Sequence, residues 1–235
     1  MRRVSSDWHR EARAYRSSRR ETQARRTRQR VVDAATAVFL EHGFAGATMR
    51  AIASRAGLSV PTVELLFGTK GRLLKAAIDV AIVGDDEPVP VLARSWTEAA
   101  MKADDVQEFL AIVAGVIGPA QQRSAGLVLA LFEAASADAD LVSLAAKMTA
   151  QRATTAAWIV EQLTRKAALR ADCTSQEAID TVWILMEPAL FDRLIRQRRW
   201  TLQQYQRWLA SSIGWLLLGE TMSSNPTTIA RRCST

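Results

Sequence analysis

Residues 48–70 read TMRAIASRAGLSVPTVELLFGTK, and the small, polar and turn-forming residues in this stretch cut it into two short helical segments. Thr48 suits an N-cap, and a helix from it through Ala56 would turn Met49, Ile52 and Ala56 inward. Gly57 permits a tight turn. Ser59 suits a second N-cap, with Pro61 in a first turn where a missing backbone N–H is harmless. The second helix should stop near Phe67, because Gly68 and Thr69 begin a new cap. Val63 and Phe67, four residues apart, should face a core.

Working outward, the residues before this stretch predict a longer helix over 22–42, with Val31, Ala35, Val38 and Phe39 on one face and Gly43 as a left-handed stop. After it, Leu73, Leu74, Ala77, Ile78 and Ala81 mark a helix ending near Gly84. An amphipathic helix followed by two short ones about a glycine turn is the pattern of a helix-turn-helix module. A plain hairpin in a bundle core would have the same caps, but the second helix is too small for a major core element.

Further on, DDEPVPV at 85–91 combines acids and prolines and marks a domain boundary. Helical periodicity then recurs over 90–102, 105–118, 122–135, 139–166, 175–198 and 201–219, and β-type alternation is nearly absent. The expected fold is all-α: an arm over 1–21, a three-helix DNA-binding domain with its connecting helix over 22–84, a larger helical domain over 85–220, and a tail over 221–235.

The charge of the 235-residue chain is +7, and it is unevenly placed. Residues 1–30 contain eleven arginines against Asp7, Glu11 and Glu21, so this segment carries +8 and the rest is close to neutral. That is the electrostatic footprint of a chain whose amino-terminal end meets a polyanion. The only histidines are His9 and His42 and the only cysteines Cys173 and Cys233, with no clustered metal ligands, phosphate loop or nucleophile motif. No enzyme, cofactor or metal is expected. No segment has the apolar length of a membrane span, and a reducing cytoplasm, beside the nucleoid, is the expected compartment.

With the motifs AATAVFLEHGFAGATM, TMRAIASRAGLS and VPTVELLFGTKGRLL in place, residues 28–77 resemble the DNA-binding domain of the TetR family of bacterial transcriptional regulators. The resemblance implies a homodimer on a palindromic double-stranded operator, regulated as a repressor by a small apolar or aromatic effector. A non-specific or architectural nucleic-acid binder driven by the arginine arm is the alternative. Matching positions imply phosphate contacts from Thr48, Thr69 and Lys70, with Arg28 adding one from the arm. Arg50 is placed to reach a base, and Val60, Pro61 and Thr62 enter the groove behind Ser59 with groups suited to a thymine methyl. Leu65 and Leu66 complete a reading helix without an amide or guanidinium. Glu64 stands where the family most often has tyrosine. It could accept from cytosine N4, pair with an arginine, or face solvent.

In the larger domain the resemblance implies an effector pocket and a dimer interface on the last two long helices. Trp96, Phe109, Phe132, Met148, Trp158 and Trp183 are the candidate walls. Glu187, among apolar neighbours beside a kinking Pro188, is either a salt-bridge partner or a group that orients the ligand. Leu190, Leu194, Tyr205, Leu209, Ile213, Leu216 and Leu217 form the stripes expected at the dimer interface, although such stripes also suit a core.

Overall fold

The computed structural model describes the backbone over 4–85, 89–135 and 139–219, with side chains from residue 22 except that of Ala139. The side chains of the arm and the tail from 220 onward lie outside the described residues. Those described form ten α-helices, one 3-10 turn at Val91–Ala93 and one π-turn at Arg193–Gln197, with no strand among them. The helices are α1 Val4–Gly46, α2 Met49–Ala56, α3 Val60–Phe67, α4 Lys70–Val83, α5 Ser95–Lys102, α6 Val106–Ala135, α7 Ala139–Thr164, α8 Ser175–Leu185, α9 Pro188–Asp192 and α10 Leu202–Leu218. The chain separates into two compact units, Met1–Val80 and Ala81–Thr235.

In the first unit the apolar periodicity becomes one core. Val31, Ala35, Val38 and Phe39 of α1, Ile52 of α2, Val63 and Phe67 of α3, and Leu73, Leu74, Ala77 and Ile78 of α4 are all buried. Gly43 interrupts α1 with φ 64° and ψ −178°, which glycine reaches without a Cβ penalty. Phe44 beyond the break stacks on Phe39 with ring centroids 6.0 Å apart.

The second unit packs α10 chiefly against α6, with α7 on α6 and α8 on α7. At the α6–α10 crossing a side chain on Gly118 would put its Cβ 2.8 Å from Cγ of Gln206, so the two helices approach at a glycine. The stretches expected over 105–118 and 122–135 are one helix, with Pro119 inside it. The carbonyl that Pro119 deprives of a partner belongs to Gly115, which is exposed, so water can take that place.

Pro188 goes the other way. The helix expected over 175–198 breaks after Leu185 and restarts at α9 with Pro188 in its first turn. The carbonyl of Ile184 is not orphaned, since it accepts from the Glu187 N–H at 3.1 Å, and the Met186 carbonyl accepts from buried Gln121 at 2.6 Å.

The expected dimer stripe needs correction. Tyr205, Leu209, Ile213 and Leu217 are fully buried in this chain's own core and cannot meet a second copy. Leu190 and Leu194 are half-buried, packed against the same core. Only Leu216 of that set is well exposed, at 47%; it lies beside Trp215 at 66%, and Ile184 of α8 is 51% exposed.

Candidate functional site

The helix-turn-helix is built by local hydrogen bonds that its sequence supplies. Thr48 Oγ1 accepts from the Ala51 N–H at 3.1 Å and starts α2. Gly57 ends α2 in the left-handed region, where its own N–H and that of Leu58 reach back to Ser54 and Ala53 carbonyls at 3.1 and 3.0 Å. Ser59 Oγ accepts from the Thr62 N–H at 3.3 Å and shares a 2.8 Å hydrogen bond with its hydroxyl. Thr69 Oγ1 accepts from the Arg72 N–H at 3.2 Å and starts α4.

Burial of Val63 and Phe67 then decides which face of α3 looks outward. Pro61, Glu64 and Leu65 are exposed, with Val60, Thr62 and Leu66 half-buried at the margins. Leu65 is 87% exposed. Arg50 is exposed on α2. Among the described residues no hydrogen bond or ion pair engages the Glu64 carboxylate.

Two of the residues expected at phosphates also hold carbonyls within the domain. The Lys70 ammonium donates to the carbonyls of Phe44 at 2.8 Å and Ala47 at 3.0 Å and lies 4.2 Å from the Phe44 ring centroid. It closes the carboxy-terminal end of α1, whose carbonyls are negative. Arg28 donates to the Leu66 carbonyl at 3.2 Å and sits 4.3 Å over the Phe67 ring. Thr48 and Thr69 are exposed at their helix starts. Arg30, not anticipated, donates to the Ala56 carbonyl at 2.5 Å. Arg55 donates to both Glu41 carboxylate oxygens at 2.7 Å and holds that carboxyl below the usual carboxylate range.

In the second unit an open groove of about 520 Å³ lies along α7 and α8, lined in part by Thr149, Ala150, Ala153, Ile179, Asp180 and Trp183. Trp183 is the one expected wall residue that lines it. Trp96 and Trp158 instead pack edge to face at 5.1 Å, with buried Phe109 6.5 Å from Trp158, and Met148 is also buried. Phe132 is half-buried on α6. Glu187 pairs with Arg152, whose guanidinium lies 4.4 Å over the Trp183 ring. Arg152 is the partner that sequence reasoning missed; an arginine 35 positions away leaves no local signal. Among the described residues no cluster of three or more ligating side chains could hold a metal, and no helix is long and apolar enough to cross a membrane.

Residues 31–77 match the family model for bacterial regulatory proteins, tetR family. No curated protein matches the sequence. Among solved structures, native NalD from Pseudomonas aeruginosa, the secondary repressor of the MexAB-OprM multidrug efflux pump, aligns with a TM-score of 0.63 and 18% identity over 84% of this chain and 99% of NalD. The regulator FadR from Bacillus subtilis, in complex with stearoyl-CoA, aligns with a TM-score of 0.61 and 15% identity over 81% of this chain and 98% of its own. The fatty acid degradation regulator FadR from Bacillus halodurans gives 0.61 and 16% over 83% and 96%. These similarities establish the shared fold.

Proposed function

We propose that this chain, whose residues 31–77 match the family model for bacterial regulatory proteins of the tetR family, regulates transcription by placing α3 in the major groove of a specific DNA sequence. The observation that carries this reading is the outward face of α3. Two residues of an eight-residue helix anchor it, and the opposite face presents Pro61, Glu64 and an 87% exposed Leu65, while Arg50 is exposed on α2. Arginine reads guanine through O6 and N7, and an apolar side chain suits a thymine methyl. Thr48, Ser59 and Thr69, at the starts of α2, α3 and α4, supply hydroxyls and helix N-termini for phosphates.

The reading extends to a homodimer on a palindromic operator, with half-sites about 34–36 Å apart. Exposed Trp215 and Leu216, adjacent on α10, and exposed Ile184 of α8 are the apolar surface such a dimer would use. We assign the groove beside Trp183 to an apolar or aromatic effector that relieves repression; NalD is named a repressor and the Bacillus subtilis FadR was solved with an acyl-CoA. Repression needs only occupancy of a promoter.

Footprinting on the DNA flanking the gene, with and without candidate effectors, tests all of this. A protected sequence with dyad symmetry supports the proposal, and protection without sequence preference overturns it in favour of an architectural binder.

A further inference from the structure

The first three helices of the DNA-binding domain each end in carbonyls held by a cation from elsewhere in the domain. Lys70 of α4 holds Phe44 and Ala47 at the end of α1, Arg30 holds Ala56 at the end of α2, and Arg28 holds Leu66 at the end of α3. The last carbonyls of a helix lack intrahelical partners and carry its negative end, so a cation there is favoured. Two of the three cations come from α1 and lie two residues apart.

We propose that Arg28 is a positioning residue that sets the attitude of the reading helix, and that operator preference depends on it although it touches no DNA. The inference rests on the reading of α3 as the DNA-reading helix. Arg28 grips α3 at two points, the Leu66 carbonyl at 3.2 Å and the Phe67 ring at 4.3 Å. Phe67 is itself one of the two anchors of α3, so the carbonyl contact fixes where the helix ends and the ring contact fixes its rotation. Arg30 does the matching work on α2: its Nη2 lies 2.5 Å from the Ala56 carbonyl, in space a side chain on Gly57 would crowd, since a Cβ there would sit 3.3 Å from that nitrogen. Together the two arginines make α1 the frame against which α2 and α3 are aligned.

The consequence follows from what α3 presents. Its outward side chains are Pro61, Glu64 and Leu65, with no bidentate group to pull the helix into register on a base pair. Apolar contact falls off within a fraction of an ångström of gap. Selectivity that rests on such contact therefore depends on how firmly the helix is held from behind.

The test uses the full-length protein, the duplex protected in footprinting and a scrambled duplex of equal length, with affinities read by fluorescence anisotropy over a range of salt. Wild type without a preference between the duplexes would defeat the proposed function, separately from this inference. With that preference in hand, Arg28→Gln should lower it about tenfold, chiefly through the operator duplex, and leave the slope of log K against log salt unchanged. A slope shallower by about 0.9 with equal weakening on both duplexes is the signature of a lost phosphate contact and would overturn the proposal. So would an unchanged preference. Phe67→Leu, which alters no charge, provides the second arm of a double-mutant cycle. Non-additive losses of preference support action through α3, and additive losses refute it.

Discussion

Leu65→Ala separates a side chain exposed for a purpose from one exposed by accident. The leucine is 87% exposed, so most of the about 1.5–3 kcal/mol that full burial of such a side chain is worth remains available for contact with DNA. Scaling by the exposed fraction sets a ceiling of about 1.3–2.6 kcal/mol, and a contact covering half of that surface contributes about 1 kcal/mol, or about fivefold in Kd. The same exposure means the folded protein barely uses the side chain. Unfolding free energy should change by less than about 0.5 kcal/mol. Anisotropy titrations of wild type and Leu65→Ala on the operator duplex, beside thermal melts, measure both quantities. Replacing operator thymines one at a time by uracil adds a chemical check, since it removes only the 5-methyl group. Wild type should weaken at one or two positions, and Leu65→Ala should be indifferent there. An unchanged operator affinity, or a melt that falls together with affinity, refutes the assignment.

Arg50→Ala should weaken operator binding by about 1–3 kcal/mol and relax preference at one G·C pair, measured by competition with single-substitution duplexes. Glu64→Gln should tighten binding to scrambled DNA at low salt and lose that gain as salt rises, because an unpaired carboxylate beside phosphates is repelled until screened; equal affinities at low salt would show that it stands clear of the backbone. Among the described residues the buried Tyr205 hydroxyl has no hydrogen-bond partner, and burial pushes its pKa above the ordinary value of about 10. An acid whose folded pKa is raised adds stability that is complete below its unfolded pKa and is lost as pH climbs beyond it. Denaturant titrations should therefore show Tyr205→Phe more stable by about 1 kcal/mol near neutral pH and less sensitive to alkali above about pH 10.

The legible features were those with local causes. Thr48, Gly57, Ser59 and Thr69 act through hydrogen bonds within a turn of themselves, so residue type and spacing were enough to place the ends of α2 and α3. The cations were illegible for the opposite reason. Lys70 reaches a carbonyl 23 residues away and Arg28 one 38 residues away, and a positive charge near a DNA-binding motif looks alike whether it serves a phosphate or a carbonyl. The stripe of Tyr205, Leu209, Ile213 and Leu217 failed differently. Its spacing of four states which face of α10 is buried but not whether this chain or a second copy buries it. The outward face of α10 carries Trp215 and Leu216, of which the spacing of the aliphatic residues picks out only Leu216.

Removal of residues 1–20 bears on how affinity and preference are divided along the chain. In the DNA-binding domain Arg28, Arg30 and Lys70 hold carbonyls, while Arg55 and Lys75 pair with Glu41 and Asp79. A cation on a neutral carbonyl keeps its charge, so the domain still attracts a polyanion, but these side chains are tied to the fold and less able to reach a phosphate. The deleted segment has seven arginines against two acids, and each arginine that neutralises a phosphate contributes about 0.9 to the salt slope, up to about 6 in all. The truncated protein should bind every duplex far more weakly, with a much shallower salt slope. Its ratio of operator to scrambled affinity should survive, because that ratio is made by α3 and Arg50 and the arm adds the same free energy to both duplexes. Anisotropy at low salt, where the weakened complexes are still measurable, gives both numbers. A ratio that collapses to one would mean that the arm carries the preference, and α3 would then not be the reading helix.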